Sequence, residues 1–228
     1  MRIKETLAWL ASVSLIGGAV YWSAGNLALK PSYASEVAQQ EIASLNKEAP
    51  KFGRKPLLPA DVKVLLDRGH GSGVHIGGGY YVTAAHVARH AKTSKRFDVK
   101  FLDKSIKKAD VLWINEEYDL AMIRADADGV ESAELRCEWA RRGDEIRVFG
   151  NPMDLEFIMT IGRIAGDART IAHWRSAYVV DVTIAVGNSG GPVYDVGGKI
   201  IGILVGGSDS GFAIAVPSYN VCQLLARI

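Results

Sequence analysis

One serine in this chain stands where a nucleophile could be presented. Ser189 lies in Gly187-Asn188-Ser189-Gly190-Gly191-Pro192, with the apolar run Thr183–Val186 before the turn and Val193 after it. Glycines admit positive φ and close approach of a substrate. The N–H groups of Gly187 and Ser189 can converge on one oxyanion. Taken alone, the stretch also reads as a glycine hairpin turn with an incidental serine. A serine nucleophile needs a base, and the base needs an orienting carboxylate. All five histidines (His70, His75, His86, His90 and His173) precede Ser189, which excludes the hydrolase order of Ser, acid, His. His86 follows the β-prone run Tyr81-Val82-Thr83-Ala84-Ala85. Asp119 is an isolated charge at the mouth of Leu120-Ala121-Met122-Ile123. Asp98 and Asp103 also lie between His86 and Ser189 but lack that setting, so Asp119 is the expected orienting acid.

The elements that must position these groups are short strands. Val62–Leu66, Gly73–Ile76, Tyr80–Val82, Phe97–Phe101, Ala109–Ile114 and Leu120–Ile123 read as strands in the first half. Glu145–Phe149, Phe157–Ile161, Tyr178–Ala185, Lys199–Val205 and Phe212–Val216 follow in the second. Gly77-Gly78-Gly79 and Asp195-Val196-Gly197-Gly198 mark turns, and many short strands at even spacing predict a barrel or sandwich. Near the end, Ser218 is placed to cap a helix carrying Val221, Leu224, Leu225 and Ile228 on one face. The composition, 48% hydrophobic and 23% charged with a net charge of +2, is that of a globular protein. It gives no case for nucleic-acid binding.

The ordered motifs Thr83-Ala84-Ala85-His86, Asp119-Leu120-Ala121-Met122-Ile123 and Gly187-Asn188-Ser189-Gly190-Gly191-Pro192 resemble the trypsin-like serine proteases. The similarity is closest to their HtrA/Deg branch. Gly71-Ser72-Gly73-Val74, Gly150-Asn151-Pro152 and Gly211-Phe212-Ala213-Ile214 with Pro217 are similar to further motifs of that branch. The resemblance covers about residues 60 to 228. It implies an all-β chymotrypsin-like fold of two six-stranded antiparallel barrels with a short C-terminal helix. It implies a serine endopeptidase with His86 as base, Asp119 as orienting acid, Ser189 as nucleophile, and Gly187 and Ser189 as oxyanion hole. No metal or organic cofactor is expected. Thr183 would form the base of the specificity pocket, and Ile203, Leu204 and Val205 its wall, with Phe212–Ile214 opposite. None of these carries a charge, so cleavage after small or medium apolar residues is expected, with Asp209 the nearest acid in an exposed loop. The family often carries PDZ modules after the protease; only eleven residues follow Pro217, so none is expected here. Asn188 stands where digestive proteases have aspartate, so activation by a freed N-terminus is not expected. The resemblance also brings homotrimers and, as an alternative function, chaperone-like holding or non-proteolytic binding on a retained barrel.

Residues 1 to 30 read separately. Arg2 and Lys4 precede an uncharged run from Thr6 to Leu29, long enough for a bilayer. It is an uncleaved signal anchor or a cleaved signal peptide, and the anchor is preferred because Tyr21 and Trp22 suit an interface. The positive-inside rule then puts the protease domain outside the cytoplasm, on the periplasmic side of the inner membrane. Residues 31 to 59, with Pro50, Pro56 and Pro59, read as a stalk. Cys137 and Cys222 are the two cysteines; such a compartment permits a disulfide, while two small buried residues is the other reading. His86 and His90 share helical spacing, but no glutamate follows His86 as a zinc motif requires. His70 and His75 are expected as surface loop residues. The segment Gly166 to Ala177, with His173 and Trp174, is expected as a surface loop or a regulatory loop beside the site. Asp181 is expected to be structural.

Overall fold

The computed structural model describes residues 60–90, 96–208 and 211–227. The first half gives strands β1 (Asp61–Leu65), β2 (His70–Gly77) and β3 (Tyr80–Ala84), then helix α1 (Ala85–Ala88). Strands β4 (Arg96–Lys100), β5 (Ile106–Asn115) and β6 (Leu120–Ala125) complete it. The second half gives β7 (Glu145–Gly150), β8 (Ile158–Ile171) and β9 (Trp174–Asp181). After them come β10 (Pro192–Asp195), β11 (Ile200–Gly207), β12 (Ala213–Pro217) and helix α2 (Ser218–Leu225). Every paired strand is antiparallel, and each half closes on itself as a six-stranded barrel. The orders are β1-β2-β3-β6-β5-β4 and β10-β11-β12-β9-β8-β7. Closure leaves no free sheet edge. The expected all-β double barrel with a C-terminal helix is therefore observed; the expected N-terminal hydrophobic helix, the stalk and Asp209 lie outside the described residues. Among the described residues no helix is long and apolar enough to cross a membrane.

The alternation of each strand places one face inward. The second barrel is filled by Ile146, Val148, Ile164, Tyr178, Val180, Val193, Leu204 and Ala215. The core of the first barrel, around Val62, Val82, Val99 and Ile123, continues between the barrels into Phe149, Tyr194, Ile203, Val205 and Ile214. Thus Ile203 and Val205 face one core and Leu204 the other, which fixes β11 against both. Fully burying such a side chain contributes roughly 1.5–3 kcal/mol. One buried polar contact also crosses the divide: Tyr194 Oη donates to Asp61 Oδ1 at 2.9 Å. Burial pushes the Asp61 carboxyl up to about 8 despite that hydrogen bond, so it is neutral at pH 7.

Two local expectations are corrected, and one question that the sequence left open is answered. Gly166–Ala177 is not a loop but most of a long hairpin, β8 paired with β9 down to Ile171↔Trp174. Its exposed polar residues carry no core pattern, and backbone pairing holds the two strands together. Ser218 does not cap α2 with its side chain; its hydroxyl donates instead to Arg136 O at 2.5 Å. Cys137 and Cys222 form a disulfide with Cα atoms 5.8 Å apart. The bond ties α2 to the segment that links the two barrels.

Candidate active site

The turn carrying Ser189 is pinned from both sides. Gly190 N donates to Leu204 O at 2.7 Å, and Leu204 N to Gly191 O at 2.8 Å, which fastens the turn to β11. Ser72 N donates to Ser189 O at 2.8 Å, which fastens it to β2. Gly190 has φ +86°, and a Cβ there would lie 2.2 Å from Ser72 O and 2.9 Å from Ala84 N. Only glycine lets the turn approach the end of β3 this closely. Ala84 is the residue before α1, and His86 stands on that helix. The turn carrying Ser189 therefore abuts the end of β3, next to the helix that carries His86, although 103 positions separate the two residues in the sequence.

Asp119 begins the return into β6. It adopts φ 54°, a left-handed conformation that aspartate tolerates. Tyr118 N donates to Asn115 Oδ1 at 3.0 Å, and Ala85 N to Asp119 O at 3.0 Å, so the turn is held at both ends. The side chain is buried and accepts three hydrogen bonds. His86 N reaches Oδ1 at 2.9 Å, His86 Nδ1 reaches Oδ2 at 2.8 Å, and Trp174 Nε1 reaches Oδ2 at 3.3 Å. Burial pushes this carboxyl up, but the hydrogen bonds and charge of His86 and the Trp174 N–H together hold it below the usual aspartate range. An ionised carboxylate only accepts, so Nδ1 of His86 is the donor, and in the neutral tautomer the lone pair is on Nε2. The His86 side chain is 35% exposed. Asp98 and Asp103 are placed elsewhere: Asp98 pairs with Lys108 at 2.6 Å, and Asp103 accepts from Ser105.

The oxyanion donors are supported by residues that the sequence did not single out for this role. Among the described residues, the N–H groups of Gly187 and Ser189 and the hydroxyl of Ser189 have no hydrogen-bond partner. Val186 O is turned away and accepts from Met153 N at 2.8 Å. Gly187 O accepts from Ser72 Oγ at 2.7 Å. The same hydroxyl accepts from Asn151 N at 3.1 Å and Asn151 Nδ2 at 2.9 Å. Both carbonyls of the Val186–Gly187 backbone are thus tied back, and the Gly187 N–H, on the opposite side of its trans peptide from Val186 O, points away from Met153. His70 lies under this turn, and its Nε2 is 2.5 Å from Asn151 O. Asp154 N is also near this nitrogen, at 3.3 Å; a carbonyl can only accept, so the shorter contact makes Nε2 the donor to Asn151 O. His70 is thus a half-buried prop at the start of β2 rather than a surface loop residue. His75 is buried, with ring contact to Tyr81 and Nδ1 2.7 Å from Glu131 O.

The Asn151 segment is itself clamped. A 3₁₀ turn, Pro152–Asp154, follows it. Lys63 of β1, largely buried, pairs with Asp154 and with Glu156, and Lys100 of β4 pairs with Glu156 at 2.7 Å. Burial pulls the Lys63 ammonium down, but the two carboxylates outweigh that and hold it above the usual lysine range. So the first barrel grips the loop that supports the oxyanion turn of the second.

The expected pocket residues divide. Thr183 is exposed, with its carbonyl 3.4 Å from Thr160 Oγ1. Ile203, Leu204 and Val205 have their side chains buried in the two cores, and it is the Leu204 backbone that meets the Ser189 turn. Met153, Val186 and Phe212 are exposed apolar side chains, and the first two are joined by the Met153 N–Val186 O bond. Among the described residues no cluster suited to a metal ion is present.

Comparison with known proteins agrees with this geometry. The family model described as trypsin-like peptidase domain matches residues 71–203. A probable periplasmic DegP-like serine endoprotease of Halomonas elongata is 34% identical over 142 residues, 60% of this chain and 29% of that protein. Serine protease HTRA1 of Xenopus tropicalis is 30% identical over 157 residues, 65% of this chain and 34% of that protein. The chain thus spans about a third of the length of these relatives. Among solved structures, the HtrA-type protease AlgW with a tripeptide aligns with TM-score 0.68 and 26% identity, over 74% of this chain and 60% of that one. A serine endoprotease from Yersinia pestis aligns with TM-score 0.65 and 25% identity, over 75% of this chain and 63% of that one.

Proposed function

Because the chain belongs to the trypsin-like peptidase family, we propose that it is a serine endopeptidase of the HtrA type that cleaves peptide bonds through His86, Asp119 and Ser189. The observation that carries this reading is the Asp119–His86 pair, with Nδ1 donating to the buried carboxylate at 2.8 Å; the Ser189 hydroxyl and the Gly187 and Ser189 N–H groups, which have no partner among the described residues, support it. His86 Nε2 takes the hydroxyl proton as Ser189 Oγ attacks the scissile carbonyl. Asp119 holds the tautomer and stabilises the imidazolium that forms. The Gly187 and Ser189 N–H groups hold the tetrahedral oxyanion, a contribution of about 10²–10³ in rate per donor in such sites. The imidazolium then returns its proton to the leaving amine. The acyl group on Ser189 is released by water, with His86 again as base.

The substrate follows from the rim. Met153, Val186 and Phe212 offer exposed apolar contacts, and no described acid lines the expected pocket. A buried lysine or arginine side chain of a substrate would then lack a partner, which is strongly unfavourable. Cleavage falls after Ala, Val, Ile or Leu of unfolded proteins, graded by about 1–3 kcal/mol per methylene. The relatives named periplasmic and the uncharged run of residues 6–29 support an extracytoplasmic protease domain, residues 60–228. That domain sits on a stalk of residues 31–59 and a membrane anchor of residues 1–30. The resemblance carries a homotrimer with it, and sedimentation of the detergent-solubilised full chain would count the copies. Cleavage-site profiling on a denatured protein mixture tests the whole reading. Apolar residues before the scissile bond, with no products from Ser189→Ala protein, are expected. Dominant arginine or lysine would refute the pocket assignment, and unchanged products from Ser189→Ala would refute the mechanism.

A further inference from the structure

The tip of the β8–β9 hairpin leaves the second barrel and touches the acid of the first. Trp174 Nε1 lies 3.3 Å from Asp119 Oδ2. Next to it, Arg175 is ion-paired with Glu117, two residues before Asp119. The six-membered ring of Trp174 lies over the backbone of β11, 3.1 Å from where a Cβ on Gly206 would stand. Ile171 and Trp174 both pack against the core that runs from the first barrel into the space between the two. The His173 ring lies against the indole with centroids 4.1 Å apart. Three separate contacts therefore seat one indole against the carboxylate that orients His86.

The chemistry of that contact is specific. Oδ1 of Asp119 is taken by His86 N–H and Oδ2 by His86 Nδ1–H. The carboxylate has capacity for more donors, and an indole N–H donates without ever titrating. A third donor lowers the energy of the ionised form and resists rotation of the carboxyl plane. We infer that Trp174 is a positioning residue of the proposed triad, acting on His86 through Asp119, and that the hairpin tip belongs to the active site. The inference rests on the triad reading above. The charged and titratable groups near the pair are otherwise engaged or turned outward. On α1 and the 3₁₀ residues after it, Arg89 pairs with Glu116 at 3.4 Å and His90 is exposed. On the Asp119 turn, Glu117 pairs with Arg175. On the hairpin, His173 is exposed and lies against the indole. The indole is thus the donor from the second barrel that reaches Asp119.

The test is Trp174→Phe in the full chain, which keeps an aromatic ring over Gly206 and removes the N–H. Steady-state hydrolysis of an apolar peptide is measured from pH 5 to 9. The expected result is a kcat about tenfold lower, the size of one hydrogen bond to a charged group, with KM unchanged. The acid limb should also move upward by about half a unit, because Asp119 with one donor fewer presents more negative charge to His86. An acid limb at the wild-type position overturns the inference, whether or not kcat falls, since ring packing alone would then explain the contact. A second readout does not depend on that variant folding or turning over. In Ser189→Ala protein, the Trp174 indole N–H resonance should shift when Asp119 is changed to Asn, and an unmoved resonance overturns the inference. Wild-type hydrolysis by His86→Ala would instead refute the triad reading beneath it.

Discussion

Ser72→Ala removes one oxygen from the support of the oxyanion turn. Ser72 Oγ is buried, donates to Gly187 O at 2.7 Å, and accepts from Asn151 N at 3.1 Å and Asn151 Nδ2 at 2.9 Å. After substitution, Asn151 Nδ2 keeps only a long contact to Val62 O at 3.5 Å. Gly187 O and Asn151 N lose their partners altogether. Each buried group left unsatisfied costs about 1–3 kcal/mol, so a loss of about 2–6 kcal/mol is expected, against a total stability of about 5–15 kcal/mol for such domains. At roughly 2–4 °C per kcal/mol for a domain of this size, Tm falls by about 4–24 °C. The catalytic effect is separable. With its carbonyl released, the Gly187 peptide is free to turn, and the oxyanion loses one donor for part of the time. Reaction with a fluorophosphonate should slow by about 10–100-fold, below the full loss of a donor. The assay is stopped-flow labelling of protein verified as folded by circular dichroism, with urea unfolding alongside. A folded Ser72→Ala protein that labels at the wild-type rate would refute the claim that this hydroxyl sets the oxyanion donors.

Three further outcomes follow from the same geometry. Asp119→Asn should lower kcat by about 10⁴-fold while Asp98→Asn leaves it unchanged, as read from initial rates; the reverse pattern would misplace the acid. Asp61, with a folded pKa of about 8 against 3.8, binds a proton that the unfolded chain releases, so its contribution is full below about pH 4 and declines as pH rises to about 8, by roughly 1.4 kcal/mol per unit. Asp61→Asn should therefore raise Tm at pH 8 more than at pH 5 in thermal scans, and an equal change at both would contradict a neutral buried acid. Reducing Cys137–Cys222, which spans 85 positions, should lower stability by about 4–5 kcal/mol in the chain-entropy account, measured as a drop in the urea midpoint with and without dithiothreitol.

Much of the fold was readable because its signals are local. Period-two alternation and glycine turns placed eleven strands, all of which appear, and the order of His86, Asp119 and Ser189 pointed to the double barrel through a resemblance. Strand β10 was not read as a strand: it has four residues and begins with Pro192. The hairpin was missed because Gly166-Asp167-Ala168-Arg169-Thr170 shows no buried face to a periodicity argument. His70 and His75 were placed in loops because glycines flank them, while the structure puts both in β2, His70 half-buried against Asn151 and His75 buried against Glu131. The supports of the site are likewise long-range: Ser72 meets Asn151 across 79 positions and Trp174 meets Asp119 across 55. Nothing local in sequence encodes such meetings; they follow from the register of two closed barrels.

The central claim is that Ser189 is a nucleophile activated by His86. The most direct measurement is fluorophosphonate labelling of the purified full chain followed by peptide mapping in a mass spectrometer. The account predicts one adduct, on Ser189, forming faster as pH rises through the range in which a histidine base is freed of its proton, and no adduct in His86→Ala protein over the same time. An unlabelled wild-type protein, or an adduct that forms equally well without His86, would contradict it.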